Sequence, residues 1–199
     1  MVRHSQELAG HPDRLRWNAR YEAKTASFAA HPLAVQALPL APVSMPVLEL
    51  AAGPSGSALL AAESGRRVVV VDASDVALEL LHAEAVRRGV EHLLALTQAD
   101  LAVWRPPQAS YGLVLCTGYW EGATDLFDAA AAAVTPGGVL AWEALTVAAR
   151  ESHPNVPEAW CVLDGQPASL LPADFRLITQ YDPEAAGGSR RRMLARRSG

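Results

Sequence analysis

The sequence predicts an α/β fold: a mostly parallel sheet that ends in an antiparallel hairpin. Three observations carry this. Short apolar runs alternate with helix-length segments from Val47 to Glu143, the rhythm of a parallel sheet covered by helices on both faces. One run, Val68–Val71, is four valines in a row, which suits a strand buried on both sides. After residue 173 the rhythm changes. Phe175–Tyr181 and Arg191–Arg196 are strand-like and are joined through Gly187-Gly188 with no crossover helix between them, so they should pair antiparallel.

Each element has its own local reason. Residues 1–11 are polar and are candidates for disorder, and residues 12–40 read as an N-terminal helical cap. Within it, Leu15, Trp17, Tyr21 and Lys24 keep a helical rhythm, and His31–Leu38 is a second short helix. Pro42 and Pro46 mark a loop before the buried strand Val47–Leu50. Ser57–Ser64 is a helix that Gly65 ends. The valine strand leads to Asp72 and then to a helix over Val76–Arg88. That helix has Asp75 near its start, Arg87 and Arg88 in its last turn and Gly89 after it, as caps and the helix dipole prefer. Leu93–Thr97 is the next strand and runs toward Asp100; Tyr111–Cys116 follows. The alanine-rich Thr124–Val134 is a helix, and Pro136-Gly137-Gly138 turns into the strand Val139–Glu143. Residues 146–173, with prolines at 154, 157, 167 and 172, read as loop with one short helix.

Size and charge narrow the function. At 199 residues the chain fits one domain, taken as spanning 1–199. No run approaches the roughly 18 apolar residues of a membrane span, and residues 1–20 offer no apolar core for a signal peptide. A cytoplasmic protein is therefore expected. Two cysteines, Cys116 and Cys161, make neither a disulfide framework nor a four-thiolate zinc site. Residues 41–184 carry a net charge of −11, which argues against a broad nucleic-acid surface. The last fifteen residues carry five arginines and no acid and read as a solvated strand end.

The chemistry concentrates at Glu49-Leu-Ala-Ala-Gly53-Pro-Ser-Gly56-Ser. A strand that enters a glycine-bearing turn and then a helix makes a nucleotide-cofactor loop. Glycine lets the backbone approach the ligand, and the helix amides donate hydrogen bonds. Asp72 ends the second strand of the alternation, where a carboxylate can accept both ribose hydroxyls, and Asp100 follows the third. All of these positions face the carboxyl edge, where open α/β sheets bind ligands.

On these residues the sequence resembles the class I S-adenosylmethionine-dependent methyltransferases, over roughly residues 12–197. Glu49 matches the acid of the first family motif and Gly53 its central glycine, with Gly56 in the same loop. Ala51 stands where glycine is usual, and Ser55 also departs. Asp72 with Ala73 falls at the ribose position, Asp100-Leu101 at the adenine position, and Cys116-Thr117-Gly118-Tyr119 beside the sulfonium and the acceptor. Thr135-Pro136-Gly137-Gly138-Val139-Leu140 matches the turn before the fifth strand. The resemblance implies a Rossmann-like, seven-stranded sheet, S-adenosylmethionine as cofactor and S-adenosylhomocysteine as product. Trp17–Tyr21, Trp142–Thr146 and Leu170-Leu171-Pro172 further resemble the small tellurite-resistance/thiopurine-type branch. That branch methylates small, often soft, nucleophiles under an N-terminal helix that closes over the cofactor.

Around this core, Trp17, Tyr21, Tyr119 and Trp120 are candidate walls of an acceptor pocket formed by residues 117–125 and 146–173; aromatic rings also favour a sulfonium. Arg20 is a candidate partner for the cofactor carboxylate. The six histidines show no metal-ligand spacing. His153 is a weak candidate base, and Cys116 reads as a packed thiol. No catalytic residue stands out. The expected partner is a small-molecule acceptor, possible examples being a thiol or a chalcogen oxyanion. Two other readings stay open. Ala51-x-Gly53-x-x-Gly56 nearly matches a dinucleotide fingerprint, which would make the chain an NAD(P)-dependent reductase. A non-enzymatic S-adenosylmethionine-binding protein would keep the pocket without the chemistry.

Overall fold

The computed structural model describes residues 2–120 and 124–199. Its strands are β1 (Val2–Arg3), β2 (Val47–Leu50), β3 (Val68–Asp72), β4 (Leu94–Gln98), β5 (Tyr111–Thr117), β6 (Val134–Thr146), β7 (Cys161–Val162), β8 (Phe175–Tyr181) and β9 (Arg190–Arg197). Its helices are α1 (Pro12–Glu22), α2 (Pro32–Ala37), α3 (Gly56–Glu63), α4 (Asp75–Arg88), α5 (Thr124–Ala133) and α6 (Ala149–Ser152). The sheet runs β1-β4-β3-β2-β5-β6-β9-β8, with β7 paired beside β6. β9 is antiparallel to β6 and to β8, and every other pair is parallel.

Period-two alternation splits the core into two layers. Val47, Leu113, Leu115, Val139, Ala141 and Leu194 pack with α2, α3 and α4 on one face. Leu48, Leu50, Val114, Cys116, Leu140 and Trp142 pack with α5 on the other. The same alternation carries Glu49, Glu143, Arg190 and Arg192 to the α2–α3 face, in step with Val47, Ala141 and Leu194.

The structure differs from expectation at several points. Among the described residues, nine strands form instead of seven. Within residues 2–11, Val2 and Arg3 pair with β4, and the Ser5 amide donates to Gln98 at 3.1 Å. The loop at 146–173 contributes the short β7. The strand expected at Val139–Glu143 also begins earlier, because the Pro136-Gly137-Gly138 stretch forms an irregularity inside β6. Gly138 is needed there: a Cβ would sit 2.7 Å from Val134 and 2.9 Å from the Thr135 carbonyl.

Two caps set the site's floor. Ser55 caps α3 by accepting the Ser57 and Ala58 amides, both at 3.0 Å. Ser74 caps α4 by accepting the Ala77 amide at 3.0 Å. Ser74 also donates to Asn18 at 2.7 Å, while Asn18 and Arg14 donate to Asp75 at 2.7–2.8 Å. These bonds fasten α1 across the N-terminus of α4. The Arg14 guanidinium, aided by Asn18 and opposed by desolvation, holds the Asp75 carboxyl down at about 2. The acid also suits the helix dipole there.

Candidate active site

A cavity of about 480 Å³ opens at the carboxyl edge of the sheet, within the roughly 300–1,000 Å³ of small-molecule sites. Three groups of elements build it. The β2–α3 loop, the end of β3 and the segment after β4 supply Ala51, Ala52, Asp72, Ala73, Asp100 and Leu101. Helix α1 lies above and supplies Asp13, Trp17, Arg20 and Tyr21. The ends of β5, β6 and β9, with His31 before α2, supply Thr117, Gly118, Tyr119, Glu143, Arg190 and Arg192.

Asp72 is buried yet lines the cavity. Burial pushes its carboxyl up, and the amides of Ser74, Gly53 and Ala73 pull it back in part. The Gly53 amide donates to Oδ2 and the Ser74 amide to Oδ1, both at 2.8 Å. A carboxylate offers about four acceptor sites, so capacity remains for the vicinal hydroxyls of a ribose. Asp100 binds the Ala102 amide at 2.9 Å and has His11 Nε2 at 3.7 Å.

The glycine loop is folded for close approach. Gly53 has φ +58°, and a Cβ on it would lie 2.6 Å from the Tyr21 hydroxyl. Burial and the nearby Asp72 charge push the Tyr21 phenol up. Ala51 has φ 50°, the left-handed region that costs an L-residue roughly 1–2 kcal/mol. The family's glycine preference at this position therefore has a conformational cause, and this chain carries the strain.

Of the residues singled out from sequence, Ala51, Asp72, Ala73, Asp100, Leu101, Thr117, Trp17, Arg20, Tyr21 and Tyr119 meet at the cavity. Four sit elsewhere. Glu49 points under the loop, where Ser55 donates to its oxygens at 2.7 and 2.8 Å. Burial pushes its carboxyl up to about 8, against the hydrogen bonds from Ser55 and Ala58. It braces the loop from below and is not among the residues that line the cavity. Gly53 lies beneath Tyr21. Gly56 abuts backbone instead: a Cβ would collide with the Phe28 carbonyl and with Ala29. Trp120 packs edge-on against Phe127 and Trp142, with centroids 6.1 and 6.2 Å away, in the α5 core layer. Its remaining accessible side borders a 40 Å³ annex with Arg16, Trp17, Leu145 and Trp160. Trp17 carries Arg16 and Arg20 over its ring at 5.4 and 5.2 Å and stacks on Tyr21 at 6.0 Å. Part of the expected acceptor wall, residues 121–123, lies outside the described residues.

Sequence reasoning missed a cluster. Glu143 is buried, with Arg190 Nη1 at 2.9 Å, Arg192 Nε at 2.7 Å and His31 Nε2 at 3.1 Å. Burial alone would push its carboxyl up, but His31 and the arginines outweigh that and hold it at about 2. The arginine-rich tail is therefore not simply a solvated strand end. Arg196 donates to the Gly137 and Leu40 carbonyls and Arg197 to Asp174 and Val134. The available signal was an acid inside the apolar run Val139–Leu145, since a buried charge demands partners. Arginines two apart on one strand could supply them.

The comparisons with known proteins agree with this geometry. The family described as "Methyltransferase domain" matches residues 47–138, from β2 into the beginning of β6. No curated relative matches the sequence. Among solved structures, the CcbJ methyltransferase from Streptomyces caelestis aligns at TM-score 0.68 and 15% identity, covering 94% of this chain and 97% of that one. An S-adenosylmethionine-dependent methyltransferase from Mesorhizobium loti aligns at 0.65 and 15%, covering 82% and 96%. The geranyl diphosphate C-methyltransferase from Streptomyces coelicolor A3(2), solved with S-adenosyl-L-homocysteine, aligns at 0.66 and 12%, covering 94% and 92%. The fold is that of these methyltransferases. Residues 47–138 carry the match to a methyltransferase domain, which supports S-adenosylmethionine as the cofactor. Among the described residues, no helix is long and apolar enough to cross a membrane.

Proposed function

We propose that the protein methylates a small-molecule acceptor, and that the acceptor is a soft nucleophile such as a thiol. The observation that supports this is that, among the described residues, the titratable groups at the β6–β9 end of the cavity are already engaged. His31 Nδ1 accepts the Leu33 amide at 3.2 Å and its Nε2 faces Glu143 at 3.1 Å, so both ring nitrogens are engaged. Glu143 is held by its cations, and the Tyr21 phenol is pushed up. A nucleophile that arrives as an anion needs no proton removed. The resemblance of Trp17–Tyr21, Trp142–Thr146 and Leu170–Pro172 to the tellurite-resistance/thiopurine-type branch supports the same class.

S-adenosylmethionine supplies an activated methyl group on a sulfonium. The work of the chain is binding and orientation. Asp72 holds the ribose, Asp100 and Leu101 border the adenine, and Arg20 faces the amino-acid carboxylate. Tyr21 closes over the glycine loop with α1 above it, which excludes water. Thr117, Gly118 and Tyr119 shape the gap between donor and acceptor. The test is S-adenosylhomocysteine release with thiophenol, 2-mercaptoethanol, selenite and tellurite against phenol and aniline. Thiol- or chalcogen-dependent release supports the reading; release with phenol or aniline alone sinks it.

A further inference from the structure

The cavity is electrically polarised along the sheet edge. Its β3–β4 end presents Asp72 and Asp100, and its β6–β9 end presents Arg190 and Arg192 around the single carboxylate of Glu143. Two guanidinium groups face one buried acid, so one positive charge is left over beside the β5 end. Arg190 is the exposed member, at 41% of its side chain, while Arg192 is 15% exposed. Arg190 spends only Nη1, on Glu143. Its Nε–Nη2 edge has no partner among the described residues, and that edge forms paired hydrogen bonds with a carboxylate. The Glu143 bond fixes the guanidinium in place beside Gly118, which lines the same end of the cavity. The aromatic annex lined by Trp17, Tyr119, Trp120 and Trp160 adjoins the same Gly118–Tyr119 stretch.

We propose that the β6–β9 end of the cavity is an acceptor subsite for a carboxylate, received by Arg190 and positioned by Glu143, with the acceptor's apolar body against Tyr119 and the annex. This rests on the methyl-transfer reading above and names its substrate class: a small, carboxylate-bearing molecule with an apolar or aromatic body. Arg20 is the cation left for the cofactor's own carboxylate. It stacks on Trp17 on α1 and forms no ion pair among the described residues.

The test uses the full chain saturated with S-adenosylhomocysteine and titrated with benzoate or benzyl alcohol. The wild type should bind benzoate tighter by about tenfold or more, the ratio one charge-assisted pair supplies. Arg190→Met should lose that preference and keep its S-adenosylhomocysteine affinity. Arg190→Gln serves in its place should the methionine variant not fold. Equal binding of the two probes, no binding of either, or a preference that survives the substitution overturns the proposal. A tenfold loss of S-adenosylhomocysteine affinity in the variant also overturns it, by assigning Arg190 to the cofactor. Failure of the wild type to bind S-adenosylhomocysteine would instead sink the methyl-transfer reading itself.

Discussion

The backbone amide of Gly53 donates to Asp72 Oδ2 at 2.8 Å. This bond joins the glycine loop after β2 to the acid that ends β3, so the two elements at this end of the cavity hold each other in place. Asp72→Ala breaks the bond and removes the proposed ribose acceptor together. S-adenosylhomocysteine affinity should fall by well over about tenfold, since hydrogen bonds to a charged group are worth about 1.5–3 kcal/mol. Unchanged affinity in a folded variant, read by calorimetry, would remove Asp72 from the site.

Ala51 occupies the left-handed region at φ 50°. Glycine adopts that conformation freely. Ala51→Gly should therefore raise stability by up to about 1 kcal/mol, once glycine's larger unfolded-state entropy is deducted. Urea denaturation reads this directly, and a clear loss of stability would contradict the strain argument.

The two loop glycines should respond differently. Gly53→Ala meets the end of one side chain, the Tyr21 hydroxyl, at 2.6 Å. Tyr21→Phe should restore part of the loss, measured as coupling in a double-mutant cycle. Gly56→Ala meets the backbone of Phe28 and Ala29, which cannot step aside. It should cost about 3 kcal/mol or more, the upper range for overpacking, with no rescue by Tyr21→Phe.

Much of this was readable from the chain itself. Val47–Leu50 and Phe175–Tyr181 form strands with those very limits, because apolar runs between proline, glycine or polar turns leave little choice of boundary. Asp72 was visible because a valine run delivers it to a strand end. β1 was not, because two residues carry no periodicity and their pairing with β4 is a tertiary event. The Glu143 cluster was hidden for a similar reason: its arginines lie 47 and 49 residues downstream, beyond any local pattern. Glu49 was placed as a cofactor contact because its strand-end position resembles the family's. The local chemistry of Ser55, which both caps α3 and donates to Glu49, turns that acid inward.

Glu49 makes stability depend on pH in a stated direction. Its carboxyl rises from 4.5 to about 8 on burial, so the folded chain keeps a proton that the unfolded chain releases. Stability should fall as pH rises from about 4.5 to about 8, where the folded state binds more protons than the unfolded state. Glu49→Gln should flatten that slope and gain on the wild type as pH rises. Glu143 acts oppositely: depressed to about 2, it supports the fold above 4.5, and that support drains away as pH falls toward 2. Urea midpoints of wild type and Glu49→Gln across pH 5–8 decide the first point, and an unchanged slope would count against it.

The cavity above the β2–α3 loop is the proposed site for S-adenosylmethionine. The most direct test is calorimetric titration of the purified protein with S-adenosylhomocysteine, with NADH as the parallel ligand. The expected result is binding of S-adenosylhomocysteine at micromolar affinity and none of NADH. Binding of NADH alone, or of neither ligand, would contradict it.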